Sequence, residues 1–413
     1  MLYFLLYRMY NTFRTFVWGE ILKERIILHC DLNNFFASVS LLFNPTLKEF
    51  PVAVCGSKEN RHGIVLAKNE NAKSFGVKTA EAIFEAKAKC PDLITLPPIY
   101  DKYEEYSLKA RKIYERYTDM IEPFGIDECW LDVTGSTVLF GNGETIANKI
   151  RSDIKRELGI TASVGVSFNK VFAKLGSDMK KPDGTTVISR ENFKDLVWKL
   201  PIADLLFVGR KTCEKLKMCG IHTIGDVTLC DEATLKRLLG KNGLDLKRYA
   251  LGEDNSPVVT PTENDKPKSI GKSITSAKDF TDNDAVWKEF LKFSQYICDI
   301  LHKKGLYAGG VQVHIRTSTL VVKEFSATFH DSTNCTLTFA RRGFDLFCKN
   351  YSFGEPLRSV GLRAINIKDC QSAVQQDIFG ESNELSNLEK IENSVYAVRQ
   401  KFGKESIKRG TTV

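Results

Sequence analysis

A chain of 413 residues, 43% apolar and 27% charged, has the balance of a soluble globular protein with room for about two to four domains. A mainly disordered or fibrous chain is excluded. Lys plus Arg number 59 against 51 Asp plus Glu, and the net charge of +8 permits a polyanionic partner without requiring one. Eleven cysteines, scattered singly with no CxxC pair, favour reduced thiols in the cytoplasm over a disulfide framework or a zinc site.

In chain order, residues 1–18 are rich in aromatics, but Arg8, Asn11 and Arg14 interrupt them. The run is too short and too broken to span a bilayer, and no cleavage site follows. It reads as a surface segment or as residues upstream of the true start. Residues 25–30 form an apolar strand ending at Asp31, and residues 35–43 a helix stopped near Pro45. Short strands are expected at 51–55 and 63–67, helices at 71–75 and 80–89, and one long helix over 100–120. Residues 121–133 read as two strands meeting at a polar turn, 145–158 as an amphipathic helix and 161–167 as an alternating strand. The mixture, without regular alternation, predicts an α+β multidomain protein. Residues 189–252 are helical pieces between glycines, and 253–268, polar with three prolines, has a linker's composition. Beyond it, strands at 269–275, 310–316, 323–329 and 360–367 with helices at 285–303 and 335–349 predict a separate small domain. No membrane span appears.

Three acidic residues carry the chemistry. Asp31 ends a buried strand, and Asp127 and Glu128 sit at the turn of Phe124-Gly-Ile-Asp-Glu-Cys-Trp-Leu-Asp-Val133. Adjacent carboxylates between apolar strands repel one another unless a cation joins them. Mg²⁺, which shares carboxylates with substrate phosphates, is the natural partner, and two such ions would clamp a phosphoryl displacement. A solvated turn and a helix N-cap would account for the same residues. Lys68, Lys73, Lys170, Lys174, Lys180 and Lys181 are nearby cations, and Asn34 and Phe35 open a helix whose amides suit phosphate.

Asp31-Leu-Asn-Asn-Phe-Phe-Ala37, residues 63–77, Gly125-Ile-Asp-Glu-Cys-Trp-Leu-Asp132 and Ser167-Phe-Asn-Lys-Val-Phe-Ala-Lys174 through Lys181-Pro-Asp-Gly184 resemble the Y-family of translesion DNA polymerases. The polymerase IV branch is nearest. Glu70, Lys73 and Asp31-Leu-Asn-Asn lean towards polymerase V. The resemblance implies a right-hand fold: an extension at 1–23, palm at 24–38 and 100–188, fingers at 39–99 and thumb at 189–252. A linker (253–268), a C-terminal little finger (269–369) and a tail (370–413) would follow. It implies two Mg²⁺ ions on Asp31, Asp127, Glu128 and the Leu32 carbonyl, and low-fidelity addition of deoxynucleoside triphosphates to a primer 3′ end. Asn34, Phe35, Phe36, Lys73 and Lys181 would meet the nucleotide, with Phe36 the steric gate against ribose. Glu70 stands where most polymerase IV relatives have a tyrosine touching triphosphate, and is expected to pair with a lysine instead. Gly125 replaces the usual serine.

For primer-template DNA, Val208-Gly-Arg-Lys-Thr212 with residues 216–221 resembles a helix-hairpin-helix, placing Gly209, Arg210 and Lys211 at the phosphates. An ordinary helical hairpin is the alternative. Lys272 and Ser273 resemble a template-backbone strand, with Arg316, Arg341, Arg342, Arg358 and Arg363 as further contacts. Gln375-Gln-Asp-Ile-Phe379, through Gln375, Asp377, Ile378 and Phe379, resembles the motif that docks on the bacterial sliding clamp. A monomer is expected. The rival readings are a polymerase V-like subunit needing partner proteins, a non-catalytic DNA- and clamp-binding scaffold, and a palm-fold nucleotide cyclase.

Overall fold

The computed structural model describes residues 24–57, 63–261, 266–369, 382–403 and 406–407. The N-terminal extension and the clamp-type residues Gln375, Asp377, Ile378 and Phe379 lie outside these. The chain divides into two compact units, with the main boundary between Thr262 and Glu263.

The first unit starts with β1 (Ile27–Leu32), α1 (Phe35–Leu42), β2 (Val52–Cys55), β3 (Val65–Lys68), α2 (Glu70–Ser74), α3 (Ile83–Lys89) and β4 (Ile94–Leu96). It continues with α4 (Tyr100–Tyr114), β5 (Ile121–Pro123), β6 (Glu128–Asp132), α5 (Thr137–Phe140), α6 (Gly143–Leu158), β7 (Ala162–Ser167), α7 (Lys170–Met179) and β8 (Thr185–Ile188). Five strands form one sheet in the order β5-β6-β1-β7-β8, all antiparallel except β7 with β8. Every residue of β1 is buried. On one face Leu28, Cys30 and Leu32 join Ile113 and Tyr114 of α4 and the Ile146, Ile150 and Ile154 stripe of α6. On the other lies α7, drawn in by glycine: a Cβ on Gly165 would stand 1.9 Å from the Ala173 carbonyl. That close approach brings Lys174 and Ser177 over the His29–Asp31 side of β1.

β3-β2-β4 make a small sheet over Ala72, Ile83 and Ala86 of the adjoining helices. Asn69 fixes its junction with α2, accepting from Ala72 N and Val52 N at 3.0 Å and donating to the Phe50 carbonyl at 2.8 Å. Short helices α8 (Phe193–Val197), α9 (Arg210–Met218), α10 (Ile224–Leu229), α11 (Glu232–Leu239) and α12 (Lys241–Ala250) close around Leu216, Ile224, Leu235 and Leu246.

Two expectations change. The helix from Tyr100 ends at Tyr114, not near 120: Tyr117 and Thr118 fold back, the Tyr117 hydroxyl donating to Asp153 at 2.7 Å and the Thr118 hydroxyl to the Asp132 carbonyl at 2.6 Å. The supposed linker is no free tether over its first part. Val258 is buried against Ile27, Trp130 and Ala173. Val259 N donates to Glu122 at 2.8 Å, and the Thr260 hydroxyl donates to the Asp119 carbonyl at 2.9 Å.

The second unit is a four-stranded antiparallel sheet, β11-β10-β12-β9, of β9 (Ile270–Phe280), β10 (Leu306–Thr317), β11 (Val322–Thr333) and β12 (Leu357–Asp369). Helices α13 (Asn283–Lys304) and α14 (Thr336–Asn350) bury Phe290, Ile297, Phe339 and Phe347 against Val311, Val313, Val360 and Leu362. All six expected elements are present, the strands longer than their apolar runs. A last helix, α15 (Ser382–Phe402), packs on α13 with Tyr396 stacked on His302 at 5.3 Å. The buried Glu392 of α15 accepts from the Thr336 hydroxyl at 3.1 Å. That carboxylate sits at the start of α14, whose own N-cap, Cys335, gives no side-chain cap.

Candidate active site

Register brings the acids together. Asp31 in β1 lies directly opposite Glu128 in β6, and Leu32 N donates to the Asp127 carbonyl at 3.1 Å. That bond makes Leu32 and Asp127 a hydrogen-bonded pair, so Asp31 and Glu128 fall on the closer, non-hydrogen-bonded rung. Like charges so placed oppose each other. Around them are Lys181, 2.7 Å from Asp31 Oδ2, and Lys174, 2.8 Å from Glu128 Oε1 and 3.3 Å from Asp31 Oδ2. Asp178 holds both lysines, at 2.8 Å from Lys181 and 3.3 Å from Lys174.

Burial pushes the Asp31 carboxyl up to about 6, against the pull of Lys181. Burial and then the Glu128 charge raise Asp127. For Glu128 burial acts upward, but its close neighbours, above all the Lys174 ammonium bonded to it, win and hold it well below the usual carboxylate range. Burial lowers His29 to about 4, so the ring is neutral at pH 7. The Ser177 hydroxyl donates to the Lys174 carbonyl at 2.7 Å, so His29 Nδ1–H donates to Ser177 Oγ at 2.9 Å. Its Nε2 is left unpaired, 3.6 Å from Glu128 and too far for a hydrogen bond. Four carboxylates thus face two ammonium groups, a surplus of negative charge.

A cleft of about 280 Å³ opens onto this cluster, lined by Asp31, Leu32, Asn34, Phe35, Phe36, Asp127, Glu128 and Lys181 on one side. Leu66, Ala67 and Lys68 of β3, with Thr79, form the other. Phe36 lies flat on Tyr103, centroids 4.1 Å apart at 8°. The Tyr103 hydroxyl is in turn 2.8 Å from Ser40. Among the described residues no three His, Cys, Asp or Glu side chains stand grouped as a ready ion cage. Asp31 and Glu128 turn to the lysines instead.

Asn33 ties the far edge. Its Oδ1 accepts from Asp183 N at 2.9 Å and from the Thr161 hydroxyl at 3.0 Å, and its Nδ2 donates to Ser163 at 2.9 Å. Arg151 (2.7 Å) and Lys155 (3.0 Å) grip the Asp183 carboxylate. The turn carrying Lys181 is therefore pinned from the residue just after β1 and from α6.

Not every expected residue reaches the cleft. Lys73 stays outside, half-exposed and 3.5 Å from Glu70. Glu70 thus pairs with a lysine, and it also accepts from Asn34 Nδ2 at 2.9 Å. Lys68, one of the nearby cations, and Thr79 line the cleft although the resemblance assigns neither a role, and Asp178 joins the lysines without having been expected there. Its spacing from Lys174 (i, i+4) and Lys181 (i, i+3) was the available signal. In the helical segment, Gly209 caps α9 and leaves Arg210 and Lys211 exposed, Arg210 pairing with Glu214 at 3.1 Å. Lys272 and Ser273 lie on opposite faces of their sheet. Lys272 is opposite Leu362 on the helix-covered side, over the Tyr296 ring at 4.4 Å, whereas Ser273 is opposite Gly361 on the open side with Arg363. Arg342 is taken up by the fold, donating to the Asp331 carbonyl at 2.7 Å over the Phe329 ring.

Residues 30–178 match the impB/mucB/samB family and residues 267–378 its C-terminal domain. The chain belongs to this family, the Y-family of DNA polymerases. It is 46% identical to DNA polymerase IV of Acetivibrio thermocellus, covering 94% of this chain and 97% of that one. With DNA polymerase IV 1 of Bacillus subtilis it shares 36% identity over 95% and 94% of the two chains. A solved Y-family DNA polymerase chimera superposes with a TM-score of 0.74 at 26% identity, covering 83% of this chain and 99% of that one. No helix among the described residues is long and apolar enough to cross a membrane.

Proposed function

We propose that this chain is a DNA-dependent DNA polymerase of the translesion type, extending a primer opposite damaged or stalled templates. The observation that carries the site is the Asp31–Glu128 rung beside Asp127 at the mouth of a nucleotide-sized cleft. Asp31, Asp127, Glu128 and the Leu32 carbonyl would hold two Mg²⁺ ions. The fit is chemical: hard oxygen donors with more negative charge than their lysines cancel. When bound, the ions supply charge neutralisation and Lewis-acid polarisation at the phosphates. The reaction joins the primer 3′ oxygen to the α-phosphorus and breaks the α–β anhydride bond, releasing pyrophosphate. Lys181, on its pinned turn, leaves Asp31 once that carboxylate is engaged and then faces the phosphates. Phe36, stacked flat on Tyr103, would occupy the space a ribose 2′-hydroxyl needs.

In this reading β1, β5–β8 and their helices are the palm, β2–β4 with α2 and α3 the fingers, α8–α12 the thumb and the second unit the little finger. Gly209, Arg210 and Lys211, with Ser273, Arg316 and Arg363, would meet DNA phosphates without reading bases. Gln375, Asp377, Ile378 and Phe379 would dock on a sliding clamp, and the protein would act as a cytoplasmic monomer. The polymerase IV relatives favour synthesis by the chain alone over a subunit that needs partners.

The test is primer extension with Mg²⁺ on plain and abasic templates. The intact chain extends both, and Asp127→Ala loses at least about a thousandfold in rate while still binding primer-template. Retained synthesis in Asp127→Ala would remove the carboxylate cluster as the active site.

A further inference from the structure

The cleft has two lysines on its walls, and they are differently engaged. Lys181 is bonded to Asp31 and Asp178 at 2.7 and 2.8 Å. Lys68, the last residue of β3, makes no ion pair among the described residues; its ammonium donates to the neutral Thr79 hydroxyl at 3.1 Å. It is half-buried, and burial, then the nearby Lys73 charge, lowers its proton affinity. Glu70 and Glu81 act on it only from a distance, so this partly desolvated ammonium faces a cleft with no carboxylate in contact, a place an anion would complete.

The residue expected to supply that charge is engaged elsewhere. Lys73 sits in the last turn of the short helix α2, three residues after Glu70, and pairs with it outside the cleft. Asn34 braces the same Glu70 from the cleft floor, so the pair is held from two sides. Lys68 differs because the chain bends at Asn69: the residue before that cap still has strand geometry, and its side chain enters the cleft beside Leu66 and Ala67.

We propose that Lys68, rather than Lys73, is the fingers-side cation that receives the triphosphate of the incoming nucleotide. Lys68 and Lys181 then bracket the polyphosphate from opposite walls. A lysine suits this place as a point charge on a flexible stem, and the Thr79 hydroxyl parks it when the cleft is empty. The inference rests on the polymerase reading above.

Its test separates binding from chemistry. A primer-template ending in a dideoxynucleotide is bound to the full chain, and each of the four deoxynucleoside triphosphates is titrated in by fluorescence. Lys68→Ala weakens all four equally, by about tenfold or more, the worth of one charge-assisted bond. Lys68→Arg recovers most of that loss, which also shows that the position tolerates change without unfolding. Lys73→Ala weakens binding less than Lys68→Ala does. Unchanged binding in Lys68→Ala, a larger loss in Lys73→Ala, or a loss confined to one base overturns the proposal. Failure of the unaltered chain to extend an ordinary primer would instead overturn the polymerase reading, so the two failures are distinguishable.

Discussion

The sheet of the first unit and the sheet of the second handle charge in opposite ways. In the first, helices cover both faces, β1 is wholly buried, and its acids emerge only at the strand end and the adjoining turn. Negative charge is concentrated there on one rung, and lysines can only partly offset it. In the second, α13 and α14 cover one face, leaving Ser273, Gln312, Arg316 and Arg363 on the other. Polar and cationic groups are spread over that surface, and His314 pairs with Glu324 at 3.2 Å among them. A concentrated site lets each member decide the outcome; a spread surface lets each contribute a share.

The sharpest way to break this contrast is Asp31→Asn. Nucleotide addition is expected to fall by about a thousandfold or more, read by single-turnover extension. The same variant should be more stable. Burial pushes the Asp31 carboxyl up to about 6 from an ordinary 3.8, so its ionisation costs stability that grows above about pH 4 and is complete above about pH 6. Asparagine removes that cost, giving about 1–3 kcal/mol at pH 8 without metal, a gain that disappears as pH falls below about 4. Melting curves at the two pH values check the sign; equal melting at pH 8 would mean the rung is not under strain.

A smaller, graded effect is expected from the spread surface. Arg316→Ala with Arg363→Ala should weaken primer-template binding by about tenfold at low salt and flatten the salt dependence by about two phosphate contacts. An unchanged slope in binding titrations would mean that the open face does not touch DNA. The smallest effect belongs to neither surface. Glu392→Ala should lower the unfolding free energy of the second unit by about 1–3 kcal/mol in urea, because Thr336 and the start of α14 lose a buried acceptor. Extension of a primer by that variant should persist under native conditions.

Much of this was legible in the sequence where pattern and position coincide. The apolar run into Asp31, the paired strands around Asp127 and Glu128, and all six elements of the second unit follow from periodicity and punctuation. What was not legible depends on side-chain partners. Lys68 and Lys73 flank the same helix start, and only the bend at Asn69 and the reach of Glu70 show which enters the cleft. The adjacency of Lys272 and Ser273 hid the alternation that sends them to opposite faces. Helix α7 carries an apolar stripe, Val171, Phe172 and Leu175, for the helical segment behind it, whereas the small residues Ala173, Gly176 and Ser177 that let it approach the sheet carry no such pattern. The composition of residues 253–268 could not reveal that Val258 and Thr260 are bound to the first sheet.

The Glu392–Thr336 bond has a consequence for biosynthesis. A nascent chain can complete the catalytic unit while the codon for residue 392 is still unread. Until residue 392 has been made, helix α14 lacks that carboxylate at its start and the second unit is the weaker for it. A ribosome stalled, or a stop codon placed, before residue 392 would leave a protein whose first unit is whole and whose second unit is destabilised, a target for proteolytic disposal.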